Sequence, residues 1–221
     1  MKAMLLAAGR GSRLAPLTDR TPKPLLPVQG QSLIQRILGR LKQAGISEAV
    51  INTHHLGQQI EREIGDGAAL GLPIYYSRES ELLETGGGIK KALPLLKDDV
   101  FMVCNADIYT DFDFANAPSE LGKGDLAHLV LVPTPASRDS GDFDCASGRV
   151  HSRGTDYVYA GIALIHQDLF IGSPQGAFSL RDLLFAAVGN GQVSAQIHYG
   201  KWTDIGTPDE YNQANTGPSL D

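Results

Sequence analysis

The sequence is poor in cysteine, in tryptophan and in net positive charge, and it has no long apolar run. Among its 221 residues are 2 cysteines, Cys104 and Cys145, and 1 tryptophan. Two cysteines so far apart cannot make the disulfide framework of a small secreted domain. Their scarcity fits a reducing compartment, and Cys104, which closes an apolar run, reads as a buried thiol. No stretch approaches the ~18 consecutive apolar residues of a membrane-spanning helix. The apolar segment after Lys2 is too short for a secretory leader and breaks into Gly9-Arg10-Gly11 where a small-residue cleavage site would stand. The expectation is a cytoplasmic protein with no membrane partner. The formal net charge of −6 argues against general nucleic-acid binding, which draws its affinity from a basic excess.

The positive charge that is present is concentrated. Residues 1–24 hold Lys2, Arg10, Arg13, Arg20 and Lys23 against Asp19 alone, a local charge of +4 on an acidic chain. Such a patch suits a small anionic ligand. It sits in a distinctive setting: an apolar strand over Lys2–Ala7, then a loop, Gly9 to Leu26, that Pro16, Pro22 and Pro24 keep from becoming a helix. The loop lacks two common phosphate signatures. Gly9-x-Gly11 is followed by Leu14, not by the third glycine of a dinucleotide fingerprint, and no Gly-Lys-Ser/Thr of a Walker loop occurs. What remains is a glycine loop whose amides can face phosphate, with Arg13 and Lys23 as fixed cations, or else an ordinary turn carrying surface basic residues.

Along the rest of the chain, Ser32 caps a helix with Leu33, Ile34, Ile37, Leu38 and Leu41 on one face, ending at Gly45. Short apolar strands follow at Ala49–Asn52, Leu72–Tyr76 and Val100–Cys104, with helices at Leu56–Ile64 and, opened by Glu84-Thr85-Gly86-Gly87-Gly88, at Ile89–Leu96. This alternation predicts an α/β fold, a mainly parallel, Rossmann-like sheet flanked by helices. Beyond Asp107 the pattern turns mixed. A strand is expected at Ala127–Val132, hairpin-type strands near Phe143–His151 and Val158–His166, a helix over Phe178–Val188, a strand over Val193–Tyr199, and a last helix with Pro208 in its first turn. One domain over 1–221 is expected. His54-His55 has no acidic partner nearby in sequence and reads as packing, and Trp202 as a core residue beside Asp204.

Leu6-Ala7-Ala8-Gly9-Arg10-Gly11-Ser12-Arg13-Leu14, Pro16-Leu17-Thr18 and Pro22-Lys23-Pro24-Leu25 together resemble the signature of sugar-1-phosphate nucleotidylyltransferases. Glu84-Thr85-Gly86-Gly87-Gly88, Asn105-Ala106-Asp107 and Trp202-Thr203-Asp204-Ile205-Gly206-Thr207 follow in that family's order. The resemblance implies the nucleotide-diphospho-sugar transferase fold, with a nucleotide-binding half at 1–110 and a sugar-binding half at 111–221. It implies transfer of a nucleotidyl group from a nucleoside triphosphate to a sugar 1-phosphate with release of pyrophosphate. Arg13 would hold the triphosphate tail and Lys23 the reacting phosphates. Leu6, Ala7, Ala8, Gly9, Gly11, Ser12, Gly86 and Gly87 would border the nucleotide. Glu84, Asn105, Asp142 and Gly161 would border the sugar phosphate. Asp107 and Asp204 would hold Mg²⁺, which prefers a few carboxylates plus phosphate oxygens and water.

Alanine at 106 stands where the family usually has glycine, which places the local backbone in question. The short length and the Leu83-to-Gly88 segment resemble the branch that uridylylates N-acetylmuramate 1-phosphate in peptidoglycan recycling. Guanylyl or thymidylyl transfer to a hexose 1-phosphate, and a non-catalytic nucleotide-sugar sensor, stand as alternatives. A monomer or weak dimer is expected.

Overall fold

The computed structural model describes residues 1–220. Strand β1 (Ala3–Leu6) leads through three single turns of 3-10 helix to a small ribbon of β2 (Pro27–Val28) and β3 (Gln31–Ser32). Next come α1 (Leu33–Gln43), β4 (Ala49–Thr53), α2 (Gly57–Ile64), β5 (Ile74–Arg78), α3 (Glu84–Leu96) and β6 (Val100–Asn105). Strands then dominate: β7 (Ile108–Thr110), β8 (Ala127–Pro133), β9 (Phe143–Ala146), β10 (Arg149–Arg153) and β11 (Tyr157–His166). The last elements are α4 (Leu180–Gly189), β12 (Val193–Ile197), β13 (Trp202–Asp204) and α5 (Pro208–Thr216).

A nine-stranded sheet runs in the order β5-β4-β1-β6-β11-β8-β12-β10-β9. Its first four strands are parallel, as the helix–strand alternation predicts. β11 enters antiparallel between β6 and β8, β12 is parallel to β8, and β10 runs antiparallel to β12 and β9. The expected segment Phe143–His151 is itself a hairpin, turning at Ser147 and Gly148, both at positive φ.

Neighbouring residues of the parallel strands feed opposite layers. Leu5, Ile51 and Cys104 pack on one face with α1 and α2. Met4, Val50 and Val103 pack on the other with α3 and α4. With helices on both faces, the central strands β1, β4 and β6 are apolar along most of their length instead of alternating. Ser32 caps α1 by accepting the Gln35 N–H at 3.4 Å. Pro208 occupies the first turn of α5, where the Thr207 hydroxyl and the Glu210 carboxylate form a reciprocal capping box.

A third, smaller core joins Leu14, Leu26, Val28 and Leu33 to Tyr109, Ile205 and Ala214. Its position matters more than its size. Leu14 is fully buried, and burying one such side chain is worth roughly 1.5–3 kcal/mol. It pins the basic loop to the segment that carries Asp204.

The start of α3 differs from expectation. Glu84 to Gly88 form the first turns of α3 instead of preceding it. The glycines serve close packing. A Cβ on Gly86 would lie 2.4 Å from the Phe178 ring, and one on Gly87 would lie 2.2 Å from the Gly176 carbonyl oxygen. Nor does Thr85 cap α3: its hydroxyl accepts the Leu180 N–H at 2.9 Å, at the start of α4.

Candidate active site

The carboxyl ends of β1 and β6 meet beneath a cleft of three adjoining cavities, and Leu6 borders all three. Open α/β sheets bind ligands at this end of their strands. The first cavity, about 220 Å³, is bordered by Ala7, Gly9, Gly11, Ser12, Arg13, Lys23 and Asp107. The second, about 380 Å³, is bordered by Ala8, Gly9, Glu84, Asn105 and Asp107. The third, about 210 Å³, is bordered by Asn105, Asp142, Tyr159 and Arg181. The structure thus brings together most of the residues expected from sequence. Gly86 and Gly87 border none of the three; they lie buried in α3, behind the cleft. Gly161 stands behind Asn105.

The loop is held from inside. Gly11 takes φ +64, and its carbonyl accepts the buried Thr18 hydroxyl at 2.9 Å. This left-handed turn suits glycine alone at little cost, and it leaves Ser12 and Arg13 facing the cavity. Arg13 reaches across to Gly206, where an added Cβ would lie 2.8 Å from its Nη2.

At the centre of the cleft, Lys23 is 8 % exposed. Its Nζ lies 2.6 Å from Asp107 Oδ2 and 3.6 Å from Asp204 Oδ1. The two carboxylates, distant in sequence, are joined by a ribbon in which β7 pairs antiparallel with β13. Ile108, next to Asp107, stands opposite Asp204, and the Ile205 N–H donates to the Asp107 carbonyl at 3.2 Å. Burial, and after it the Asp107 charge, push the Asp204 carboxyl up from its ordinary range, against the pull of Lys23, Arg138 and Arg13.

The carboxylate pair fits a divalent cation in one specific respect. Lys23 satisfies Asp107 Oδ2, while Asp107 Oδ1 is buried with no hydrogen-bond partner. An orphaned buried carboxylate oxygen is costly, and a hard cation is a natural partner for it. Among the described residues no group of three or more His, Cys, Asp or Glu side chains could hold a metal. Two carboxylates would therefore need oxygens from phosphate and water, which is the donor set Mg²⁺ prefers. Ala106 is not among the positive-φ residues and is fully buried, so alanine there imposes no backbone cost.

Several supporting residues carry no motif in the sequence. Asn52, at the end of β4, accepts the Ala7 N–H at 2.8 Å and donates to Glu79 Oε1 at 2.6 Å. Glu79, also buried, accepts the Leu83 N–H at 3.0 Å. This chain ties the glycine loop to the entrance of α3. The only signal available was polarity at a strand's end, where apolar residues otherwise continue. Arg138 is a second such residue: its guanidinium lies 3.6 Å from Asp204 Oδ2 and 5.9 Å from the Trp202 ring centroid. Trp202 packs against the core, as expected, and its indole N–H donates to the Ala160 carbonyl at 2.8 Å.

On the sugar side, Gly161 takes φ +77, and a Cβ there would lie 2.8 Å from Asn105 Nδ2. The glycine therefore gives Asn105 its room. Asp142 Oδ2 accepts the Tyr159 N–H at 3.0 Å. Glu84 borders the second cavity from φ +58, a region that costs a non-glycine residue about 1–3 kcal/mol. His54 and His55 bond to backbone carbonyls of Glu79 and Thr18.

Residues 2–141 match the family model described as nucleotidyl transferase. The chain belongs to the nucleotidyl transferase family. A Neisseria meningitidis protein named N-acetylmuramate alpha-1-phosphate uridylyltransferase is 45% identical, with 94% of this chain and 94% of that protein covered. A Mycobacterium tuberculosis mannose-1-phosphate guanylyltransferase is 31% identical over 95% of this chain, but the match spans 62% of that longer protein. In structure, a Bacillus anthracis chain provisionally named a glucose-1-phosphate thymidylyltransferase superposes with a TM-score of 0.87, covering 97% of this chain and 94% of that one at 23% identity. That likeness shows the shared fold. Family and fold agree with the resemblance read from the motifs: this is a sugar-1-phosphate nucleotidyltransferase. Among the described residues no helix is long and apolar enough to cross a membrane.

Proposed function

We propose that this nucleotidyl transferase joins UTP to N-acetylmuramate 1-phosphate, giving the UDP-sugar and pyrophosphate, and that it works in the cytoplasm in the recovery of cell-wall sugars. The observation that carries the reaction is the junction of Lys23, Asp107 and Asp204 beside the glycine loop. The choice of base and sugar rests on the N. meningitidis relative, which matches over 94% of each chain.

The reaction is an in-line attack by the sugar phosphate oxygen on the α-phosphorus of the triphosphate. It needs no covalent intermediate on the protein, so positioning and charge stabilisation do the catalysis. Lys23, which borders the first cavity beside Asp107, places one positive charge between the α-phosphate and the incoming phosphate. Arg13 holds the triphosphate tail and receives the charge that builds on departing pyrophosphate. The strand end Leu6–Ala8 and the loop Gly9–Ser12 offer backbone and little side chain, which leaves room for a flat base and for phosphate oxygens. Asn105, Asp142 and Glu84 supply polar groups to the sugar, and Gly161 keeps Asn105 in place. Asp107 and Asp204 would hold Mg²⁺, which when bound neutralises phosphate charge and polarises the phosphoryl group.

The test is pyrophosphate release with Mg²⁺ across a panel of four triphosphates and several sugar 1-phosphates. UTP with N-acetylmuramate 1-phosphate should give the highest kcat/KM. Release with GTP and mannose 1-phosphate alone would overturn the choice of substrates, and no release with any pair would overturn the enzyme reading.

A further inference from the structure

N-Acetylmuramate differs from N-acetylglucosamine by one group, a lactyl ether on O3 that ends in a carboxylate. An enzyme that selects it has to meet one additional negative charge, at the side of the ring away from the C1 phosphate. The third cavity of the cleft is placed for this. It shares Leu6, Thr85, Asn105 and Ser179 with the second cavity, but Asp107 borders the first and second cavities and not the third, while Arg181 borders the third alone. Arg181 therefore stands at the end of the cleft removed from the reacting carboxylates.

Its electrostatic state differs from that of Lys23 and Arg138, although Arg13 in the first cavity likewise makes no hydrogen bond or ion pair among the described residues. Lys23 is paired with Asp107, and Arg138 lies against Asp204. Arg181, in the first turn of α4 and exposed, makes no side-chain hydrogen bond or ion pair among the described residues. The first amides of α4 are already taken: Leu180 N–H donates to the Thr85 hydroxyl, Arg181 N–H to the Ser179 hydroxyl, and Asp182 N–H to the Ser179 carbonyl. An anion at this wall has the guanidinium as its partner, not the helix terminus. The same cavity holds two further polar groups with spare capacity. The Tyr159 hydroxyl is buried with no hydrogen-bond partner, and Asp142 has one oxygen committed to the Tyr159 N–H. As an anion Asp142 repels a carboxylate, so it is suited to hydroxyl or amide donors of the ring.

We propose that Arg181 is the specificity-determining residue of this enzyme, pairing with the lactyl carboxylate of the acceptor, while Tyr159 and Asp142 hold the uncharged part of the sugar. The inference rests on the acceptor proposed above. Loss of one charge-assisted, bidentate contact is expected to cost about 10- to 100-fold.

The experiment compares wild type, Arg181→Leu and Arg181→Lys with UTP, Mg²⁺ and two acceptors, N-acetylmuramate 1-phosphate and N-acetylglucosamine 1-phosphate. It reads kcat/KM by pyrophosphate release and Kd of each sugar phosphate by calorimetry. Arg181→Leu should weaken the muramate acceptor about 10- to 100-fold, mostly in KM and Kd, and leave the glucosamine Kd within about twofold. Arg181→Lys should recover part of the loss, since it restores the charge without the planar fork. An equal loss for both acceptors, or no loss for muramate, would overturn the role of Arg181 while leaving the proposed reaction standing. A wild type that turns over other acceptors but not muramate would overturn that reaction and this inference with it.

Discussion

Replacing Lys23 with methionine keeps the apolar stem and removes only the charge. Lys23 Nζ lies 2.6 Å from one carboxylate and 3.6 Å from another. Two unit charges about 4 Å apart near a protein surface attract by about 4 kcal/mol. Here Asp107 and Asp204 are each 29% exposed at the side chain, so solvent screens part of that. The cost of taking the Lys23 charge out of water offsets more. The net loss of stability should be about 1–2 kcal/mol, a fall in Tm of roughly 3–6 °C for a chain of this size. That leaves the protein folded at 25 °C, since total stability is of order 5–15 kcal/mol. Turnover should respond far more. Removing one fixed charge from a reacting centre costs about 10²–10³ in kcat. The assay is initial-rate pyrophosphate release at saturating substrates beside a thermal scan, both with and without Mg²⁺. The carboxylates left unpaired should also make the variant gain more Tm from Mg²⁺ than wild type does, because binding to the native state adds directly to stability. A variant with the expected Tm but a kcat within tenfold of wild type would show that Lys23 is a structural counter-ion and would refute its catalytic role.

Three further perturbations separate the parts of the site. Asp107→Asn should abolish turnover and leave the far-UV circular dichroism spectrum and the fold unchanged; wild-type rates at saturating Mg²⁺ would remove Asp107 from the metal site. Gly161→Ala puts a Cβ at φ +77 within 2.8 Å of Asn105 Nδ2, so it should cost about 1–3 kcal/mol of stability and raise KM for the sugar phosphate while KM for UTP holds; parallel rises in both would argue that Asn105 serves the whole cleft. His128 sits between Ser194 and Gln196 at 3.0 and 3.1 Å, and burial holds its pKa below the ordinary 6.5. Below about pH 6.5 the unfolded chain therefore binds a proton that the folded chain resists, so stability should fall as pH drops toward 5, and His128→Gln should flatten that part of the Tm–pH curve; an unchanged slope would show that His128 does not titrate there.

The distribution of what could be read from sequence follows from how local each cause is. Strand β1, helix α1 and the parallel half of the sheet come from apolar spacing within a few residues, with Ser32 and Gly45 marking the ends of one helix. The loop was legible because glycine, proline and fixed cations act on their own backbone and charge. Asp107, just past an apolar strand, read by itself only as a turn residue, and the family resemblance raised it to a metal ligand. Asp204 was likewise legible only through the family resemblance, because its place depends on the β7–β13 ribbon, whose three-residue strands are too short to show a period.

The residues that escaped reading altogether act through partners remote in sequence. Asn52 matters because it meets Ala7 and Glu79, and Arg138 because it meets Asp204. Gly86 and Gly87 show the same limit from the other side. In sequence a glycine run invites a ligand, since it offers bare backbone. In the fold that bare backbone is met by Phe178 and Gly176, on the chain that leads into α4. The same close contact sets the Thr85 hydroxyl against the Leu180 N–H and so fixes the start of α4 beside the third cavity. The glycines thus bear on the sugar through packing: a bulkier residue at 86 would push α4 outward and carry Arg181 away from the cleft.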